Sequence, residues 1–415
     1  MITKISLHNW KSFQEASLFI DPITVLIGLN ASGKSNVIDA LRFLQRSTSM
    51  PLTTAITGWE SQTQEIRGGI EWVCLKGEDS FRLEVLLKSP FGAELKYELE
   101  VVVVENGSTK KAYVKEEKLF KIFKRARIKD EQYRQIFWTD PCDDRSEYLT
   151  ARMKNRRGAP FQLHRQNSVL AHTASMQLGS EIRDVTDFLR GVLQKIYILD
   201  PVPIHMRDYC RLGDMLLPDG SNVAGVIAGL APAEKDKVEK ALTKYVGNLP
   251  DNPFEKIYVE LVGKFQQDAM LYGTEHLPNQ SGIEVDARSM SDGTLRTIAI
   301  LTAIFTRPKE SLLVIEEVDN GLHPSKAGFL LNLLLELGQQ QGVDILITTH
   351  NPALMDSLEK DLLPFISLTY RDEKTGYSTI KLLEDVAILP KLMGFGSLGK
   401  IVTEDLIEKP ELALV

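Results

Sequence analysis

The chain has 415 residues, 43% of them hydrophobic and 25% charged, with a net charge of −7 and three cysteines. That length suits two or three domains with ample apolar content for a core; no apolar run approaches the roughly 18 residues of a membrane-spanning helix, and no secretory leader pattern is seen. Cys74, Cys142 and Cys210 are isolated, which argues against a disulfide framework or a cysteine metal cluster and suits a reducing cytoplasm.

In chain order, Ile2 to Leu7 and Ala16 to Ile20 read as antiparallel strands, and Ile23 to Ile27 as a buried strand. That strand runs into Gly28-Leu29-Asn30-Ala31-Ser32-Gly33-Lys34-Ser35, which fits G-x-x-x-x-G-K-[ST], and a helical stretch follows from Lys34 to about Arg46. The strand before and the helix after are the context this octet needs to bind a nucleoside triphosphate. Gly28, Asn30, Ala31, Ser32, Gly33, Lys34, Ser35 and Asn36 are the candidate cradle. The glycines let backbone N–H groups close around phosphate oxygens at the positive end of the helix, Lys34 reaches the β/γ-phosphates, and Ser35 the Mg²⁺. By itself the octet leaves kinase, GTPase, transporter and motor ATPase open.

A polar stretch from Ser47 to Gln64 precedes strands expected at Gly69 to Leu75, Phe81 to Leu87 and Lys96 to Val104, a turn at Glu105-Asn106-Gly107, and a strand at Ala112 to Lys115. From Lys118 to Arg165 thirteen Lys or Arg stand against six Asp or Glu, a local balance of +7 in an acidic chain. The densest clusters are Lys121, Lys124, Arg125, Arg127 and Lys129, then Arg152, Lys154, Arg156 and Arg157, with Phe120, Phe123, Tyr133, Phe137, Trp138, Tyr148 and Phe161 interleaved. Charge with aromatics suits a nucleic-acid surface; a docking face for an acidic partner and a plain solvated insertion are the other readings. Residues 181 to 280 read mainly as helices, broken at Asp200-Pro201-Val202-Pro203 and at Leu217 to Asn222.

Ser291 and Gly293 stand where a helix over Thr297 to Phe305 begins, an anion-binding arrangement or an ordinary N-cap. The apolar run Ser311 to Ile315 delivers Glu316 and Glu317 to a strand's carboxyl end, Glu316 placed for Mg²⁺ and Glu317 to orient or deprotonate a water. Val343 to Thr348 is a second buried strand, ending at Thr349-His350-Asn351-Pro352, and Phe365 to Tyr370 with Tyr377 to Leu383 reads as a hairpin. Gly394-Phe395-Gly396-Ser397-Leu398-Gly399 satisfies G-x-G-x-x-G but follows a Pro-containing helical stretch, and is read as a loop.

In order and type, Gly28 to Ser35, Ser291-Asp292-Gly293, Glu316-Glu317, Asp319 and His350 resemble the Walker A, signature, Walker B, D-loop and switch-histidine elements of ABC-type ATPases. Within that superfamily the opening Ile2 to Phe13 resembles the I-x-N-F-K-S-F strand of the RecF/SMC branch and OLD-like phage-defence ATPases, and Glu316 to Pro324 resembles their E-E-P-E-x-G-L-H-P. Val318 and Asp319 depart from that pattern, and Glu316 stands where most ABC proteins have aspartate. The 257 positions between Lys34 and Ser291 disfavour a transporter subunit, and no long heptads fill them as in an SMC protein.

The resemblance implies an α/β fold, a P-loop NTPase head of ABC type with an antiparallel β-subdomain and a helical lobe. It is parsed as 1–117 (N-terminal ATPase lobe), 118–180 (basic insertion), 181–288 (helical lobe) and 289–415 (C-terminal ATPase lobe). ATP and Mg²⁺ are the implied cofactors and Ser35, Glu316 and Gln166 the implied metal residues, Gln166 as a candidate Q-loop glutamine with an ordinary surface glutamine as the alternative. The implied assembly is a homodimer or higher oligomer in which Lys34, Glu316, Glu317 and His350 of one protomer meet Ser291 and Gly293 of the other. Only 65 residues follow His350, too few for a TOPRIM nuclease. The expected system is therefore an anti-phage ATPase acting with a separate effector, a nuclease or toxin, away from membranes. A RecF-like repair ATPase and a protein-only scaffold regulating a toxin are the alternatives.

Overall fold

Alternating apolar residues make β1 (Ile2–Trp10) and β2 (Phe13–Phe19) an antiparallel hairpin, with Lys4 opposite Phe19 and Trp10 opposite Phe13. In the computed structural model, which describes residues 1–59, 65–107, 109–123, 132–143, 146–154, 160–248, 254–277, 280–320, 324–356, 358, 360–387, 389–394, 396–404 and 406–407, this hairpin is the edge of a much larger sheet. β4 (Ser80–Lys88), β5 (Glu94–Asn106), β6 (Thr109–Phe123), β7 (Gln132–Thr139), β8 (Tyr148–Met153) and β9 (Pro160–His164) extend it to eight strands in the order β2-β1-β4-β5-β6-β7-β8-β9. Between hairpin and extension the chain forms β3 (Ile23–Ile27), buried at all five residues, then α1 (Lys34–Ser47) and α2 (Leu52–Thr57). α1 buries Val37, Ile38, Leu41 and Leu44 along one helical stripe, and Phe43 packs with the fully buried Trp10 and with Phe81, ring centroids 5.9 and 5.4 Å apart. α3 (Val169–His172) and α4 (Ser180–Gln194) follow β9.

The described chain divides into two compact units, and everything above lies in the first: Met1–Ile196 with Pro364–Phe395 and Glu404–Val415. The second, Tyr197–Leu363 with Gly396–Thr403, takes up the chain at β10 (Ile196–Leu199). It holds β11 (Cys210–Arg211), α5 (Val223–Gly229), α6 (Pro232–Gly247), β12 (Phe254–Val262), β13 (Asp268–Leu277) and β14 (Gln280–Asp286). α7 (Asp292–Thr306), β15 (Leu312–Ile315), α8 (Pro324–Gln341), β16 (Asp344–Thr349) and α9 (Pro352–Asp356) complete its main run. β15 and β16 are parallel, Leu312 opposite Asp344 and Ile315 opposite Ile347, and every residue of both is buried, as a parallel sheet covered on two faces requires. β17 (Ile366–Arg371), β18 (Ser378–Leu382) and α10 (Leu389–Leu392) return to the first unit, and α11 (Leu398–Thr403) to the second. β17 pairs antiparallel with β18 and parallel with β3, Ile366 opposite Val25.

Three expectations need correction. Gly69 to Leu75 is not a strand: Gly68 and Gly69 take left-handed turns (φ 80 and 57), and the segment meets β1 only through the Cys74–Trp10 bridge and flanking backbone bonds. The boundary expected at 117/118 falls inside β6, so the basic segment continues the sheet rather than forming an insertion of its own. Residues 254–286 form three antiparallel strands within the stretch read as mainly helical. Glu255, Lys256 and Glu260 suit a helical face, but Ile257, Tyr258 and Val259 favour extended backbone.

Glu117 of β6 is fully buried in the first unit. One carboxyl oxygen accepts the Val169 amide at 2.6 Å; the other accepts the Leu170 amide at 2.9 Å and the Tyr97 hydroxyl at 3.0 Å. Burial pushes its carboxyl up to about 7 from an ordinary value of 4.5, against the pull of these hydrogen bonds. The folded protein therefore binds this proton more tightly than the unfolded chain, and the stability it confers, in full below pH 4.5, is lost as pH rises through about 7. The shift corresponds to about 3 kcal/mol. Glu117→Gln is expected to flatten the pH dependence of the denaturation midpoint across this window; an unchanged slope would assign the dependence to another group.

Candidate functional site

The turn after β3 has the shape of a phosphate cradle because its glycines cannot be replaced. A Cβ on Gly28 (φ 154) would stand 2.2 Å from the Thr369 carbonyl oxygen, and one on Gly33 (φ 120) 2.8 Å from the Phe13 ring and 2.9 Å from Ser378 Oγ. Ala31 is also left-handed (φ 63), and Asn30 and Ala31 are exposed at the tip. Lys34, 8% exposed, folds back so that Nζ donates to the carbonyls of Gly28 (2.7 Å) and Leu29 (2.8 Å). Ser32 Oγ is buried without a hydrogen-bond partner, and no side chain caps the first turn of α1, where Ser35 sits half-buried. A buried lysine, an orphaned hydroxyl and an uncapped helix N-terminus fit a triphosphate with its Mg²⁺.

The sequence reading missed what supports this loop. Thr369 Oγ1 of β17 donates to the Ser32 carbonyl at 3.1 Å. The hairpin tip grips α1 at four points: Trp10 Nε1 donates to the Asn36 carbonyl (2.7 Å), Asn36 Nδ2 to Ser12 Oγ (2.8 Å), Lys11 Nζ to the fully buried Asp39 (2.6 Å), and Phe13 lies over Gly33. Asn36 thus spends its side-chain amide on the hairpin, while the opening Trp-Lys-Ser-Phe, seen in the sequence only as a resemblance, has a mechanical role.

The second unit assembles the acidic end. Glu316, 8% exposed, ends β15 with its amide donating to the Leu199 carbonyl at 3.2 Å. Glu317 adopts a left-handed conformation (φ 47), which costs a non-glycine residue about 1–3 kcal/mol. Thr348 of β16 secures it: its Oγ1 accepts the Glu317 amide at 3.0 Å and its carbonyl accepts the Val318 amide at 3.2 Å. The Glu317 carboxylate then lies 3.3 Å from His350 Nδ1, without hydrogen-bond alignment. Asp319, 6% exposed, keeps Oδ1 buried and unpartnered. Glu317, His350 and Thr348 therefore come together at one end of the β15–β16 pair.

Ser291 is the N-cap of α7, its Oγ accepting the Thr294 amide at 3.2 Å; it is exposed and Gly293 is buried. Both belong to the second unit and Lys34 to the first. Gln166 is exposed in the turn after β9, where its carbonyl accepts the Leu52 amide at 2.7 Å. In the basic segment Lys118 pairs with Glu116, Lys121 and Arg134 with Glu181, and Arg152 with Asp140. Arg165 is fully buried on the carbonyls of Val114, Asp143 and Ser146, and Phe137 lies in the core. Lys124, Arg125, Arg127, Lys129, Arg156 and Arg157 lie outside the described residues.

The fold is that of a P-loop head of the ABC type, and the turn after β3 carries the phosphate-loop glycines and lysine. Residues 1–157 match the family model described as "AAA ATPase domain", and residues 162–356 that described as "AAA domain, putative AbiEii toxin, Type IV TA system". These two matches support an ABC-type ATPase similar to the RecF/SMC branch. It is 44% identical over 55 residues to a DNA double-strand break repair Rad50 ATPase of Halobacterium salinarum, 13% of this chain and 6% of that protein. It is 28% identical over 74 residues to a DNA replication and repair protein RecF of Limosilactobacillus reuteri, 17% of this chain and 20% of that protein. The chain therefore spans a small part of the length of these curated relatives. In fold it is similar to an SMC head bound to the C-winged helix domain of ScpA (14% identity, TM-score 0.51, 92% and 96% of the two chains). It is also similar to the Smc head domain with an extended coiled coil bound to the C-terminal domain of ScpA derived from Pyrococcus furiosus (13%, 0.52, 94% and 99%). Among the described residues no helix is long and apolar enough to cross a membrane.

Proposed function

We propose that the protein is an ATP-dependent dimeric switch that acts as the sensor or regulator of an anti-phage system whose effector, a nuclease or toxin, is a separate protein. The observation that carries the switch is the Thr348-braced pairing of Glu317 with His350, 3.3 Å apart at the carboxyl end of β15. Glu317 is the base that takes the proton of the attacking water, His350 senses the γ-phosphate, and Ser35 with Glu316 would hold the Mg²⁺. When bound, that ion supplies positive charge for the transferred phosphoryl group. Each site is completed by Ser291 and Gly293 of a partner copy, so hydrolysis removes the phosphate that bridges the protomers. The defence reading is supported by the toxin–antitoxin wording of the model matched over 162–356. The Rad50 and RecF stretches favour the second reading, a DNA-repair ATPase.

In both readings nucleic acid is the ligand of the 118–165 segment. The test is binding of single- and double-stranded DNA and RNA in the presence of ATP across a salt series. Affinity for duplex DNA is expected to fall by about 0.9 log unit per log unit of salt for each phosphate neutralised. Reversing Arg125, Arg127, Arg156 and Arg157 to Glu is expected to weaken binding of every sequence and to leave basal ATPase activity largely intact. No salt-sensitive binding by the wild type would turn the segment into a protein-docking face and put the toxin-regulating scaffold first.

A further inference from the structure

Arg207, in the loop after β10, makes an unusual set of bonds to one short turn. Its Nη1 donates to the carbonyls of Ala287 (3.2 Å), Arg288 (2.8 Å) and Met290 (2.8 Å), and its Nη2 to Asp292 Oδ1 (2.5 Å). These residues are the turn between β14 and α7, and Ser291, between two of the contacted residues, is the exposed N-cap. A cation beside a helix N-terminus opposes the helix dipole; here the Asp292 carboxylate offsets it, with an ion pair in which the arginine is 23% and the aspartate 63% exposed. Arg207 reaches three carbonyls and a carboxylate through two nitrogens held in a rigid fork, more acceptors than the three donors of an ammonium, so lysine is no equivalent.

We propose that Arg207 is a positioning residue for ATP hydrolysis: it fixes the backbone of 287–292 so that Ser291 and Gly293 meet the phosphate bound by the partner protomer. Accepting this role means accepting the composite-site reading proposed above. A brace that served stability alone would show its loss in the melting temperature and would ignore which protomer carries it. Arg207 acts through the turn, so its defect must travel with Ser291, in trans to Lys34.

The experiment is subunit mixing with verified heterodimers. Arg207→Lys alone is expected to lower kcat about 10²-fold, the cost of a catalytic group misplaced by about 1 Å, with the KM for ATP little changed. Mixed with Lys34→Ala it is expected to regain one working site per heterodimer; mixed with Ser291→Arg it is expected to regain none. A kcat within twofold of wild type overturns the proposal, as does recovery with Ser291→Arg. Failure with Lys34→Ala while Ser291→Arg with Lys34→Ala succeeds also overturns it and leaves the composite site standing. If that control pair fails too, the composite site falls and Arg207 loses its role in trans. Should Arg207→Lys not fold, Asp292→Asn, which removes one contact of the brace, is expected to give the same pattern with a smaller loss.

Discussion

Glu317→Gln is expected to bind ATP as the wild type does and to hydrolyse it about 10²–10⁴-fold more slowly, the usual range for a lost general base. The amide has the size of the carboxylate but cannot take the water's proton. Glutamine is the informative choice because Glu317 is left-handed and its amide is held by Thr348; a β-branched residue would disturb the backbone as well as the chemistry. Nucleotide binding and single-turnover hydrolysis, measured on the same preparation, separate the two effects. Near-wild-type turnover would transfer the role to Glu316. Lys34→Ala makes the contrast, because it removes the cation that faces the cradle and should abolish binding itself.

The second large effect is restoration rather than loss. Ser291→Arg and Lys34→Ala are each expected to be inactive as homodimers, one lacking a usable signature and the other a usable phosphate loop. In a heterodimer the intact loop of one protomer faces the intact signature of the other, so about half of wild-type activity per dimer should return, one site of two. Mass-verified heterodimers that stay inactive would reduce Ser291 to the helix cap its hydrogen bond to the Thr294 amide already makes it.

Much of this site is legible in the sequence because phosphate binding demands a local pattern. Gly28 and Gly33 must be glycine where a Cβ would strike Thr369 or Phe13, and continuous apolar runs such as Leu312 to Ile315 announce buried parallel strands. What the sequence hides depends on contacts between distant residues. Nothing local marks Thr348 as the residue that holds Glu317, or Arg207 as the brace of a turn 80 positions away. The middle of the chain is hard to read for a related reason: Glu255, Lys256 and Glu260 of β12 are spaced as on one helix face, and only pairing with β13 makes the segment a strand. Within 118–165, Lys121 and Arg134 pair with Glu181 of α4 and Arg152 with Asp140, so total charge overstates what remains for a ligand.

The pairing of β17 with β3 bears on the order in which the protein is made. Thr369 and Ser32, which share a hydrogen bond under the phosphate loop, are 337 residues apart in sequence. Synthesis at about 5–20 residues per second leaves β3 and its glycine turn without that wall for some tens of seconds after they are made. During that time Gly28 has no Thr369 carbonyl beside it, although the hairpin tip and Phe81 can already hold α1. Nucleotide should therefore be captured late, by a chain already synthesised past β17. N-terminal fragments that run past His350 but stop before Ile366 should bind ATP poorly, although they keep the octet, Ser291 to Gly293, Glu316, Glu317 and His350.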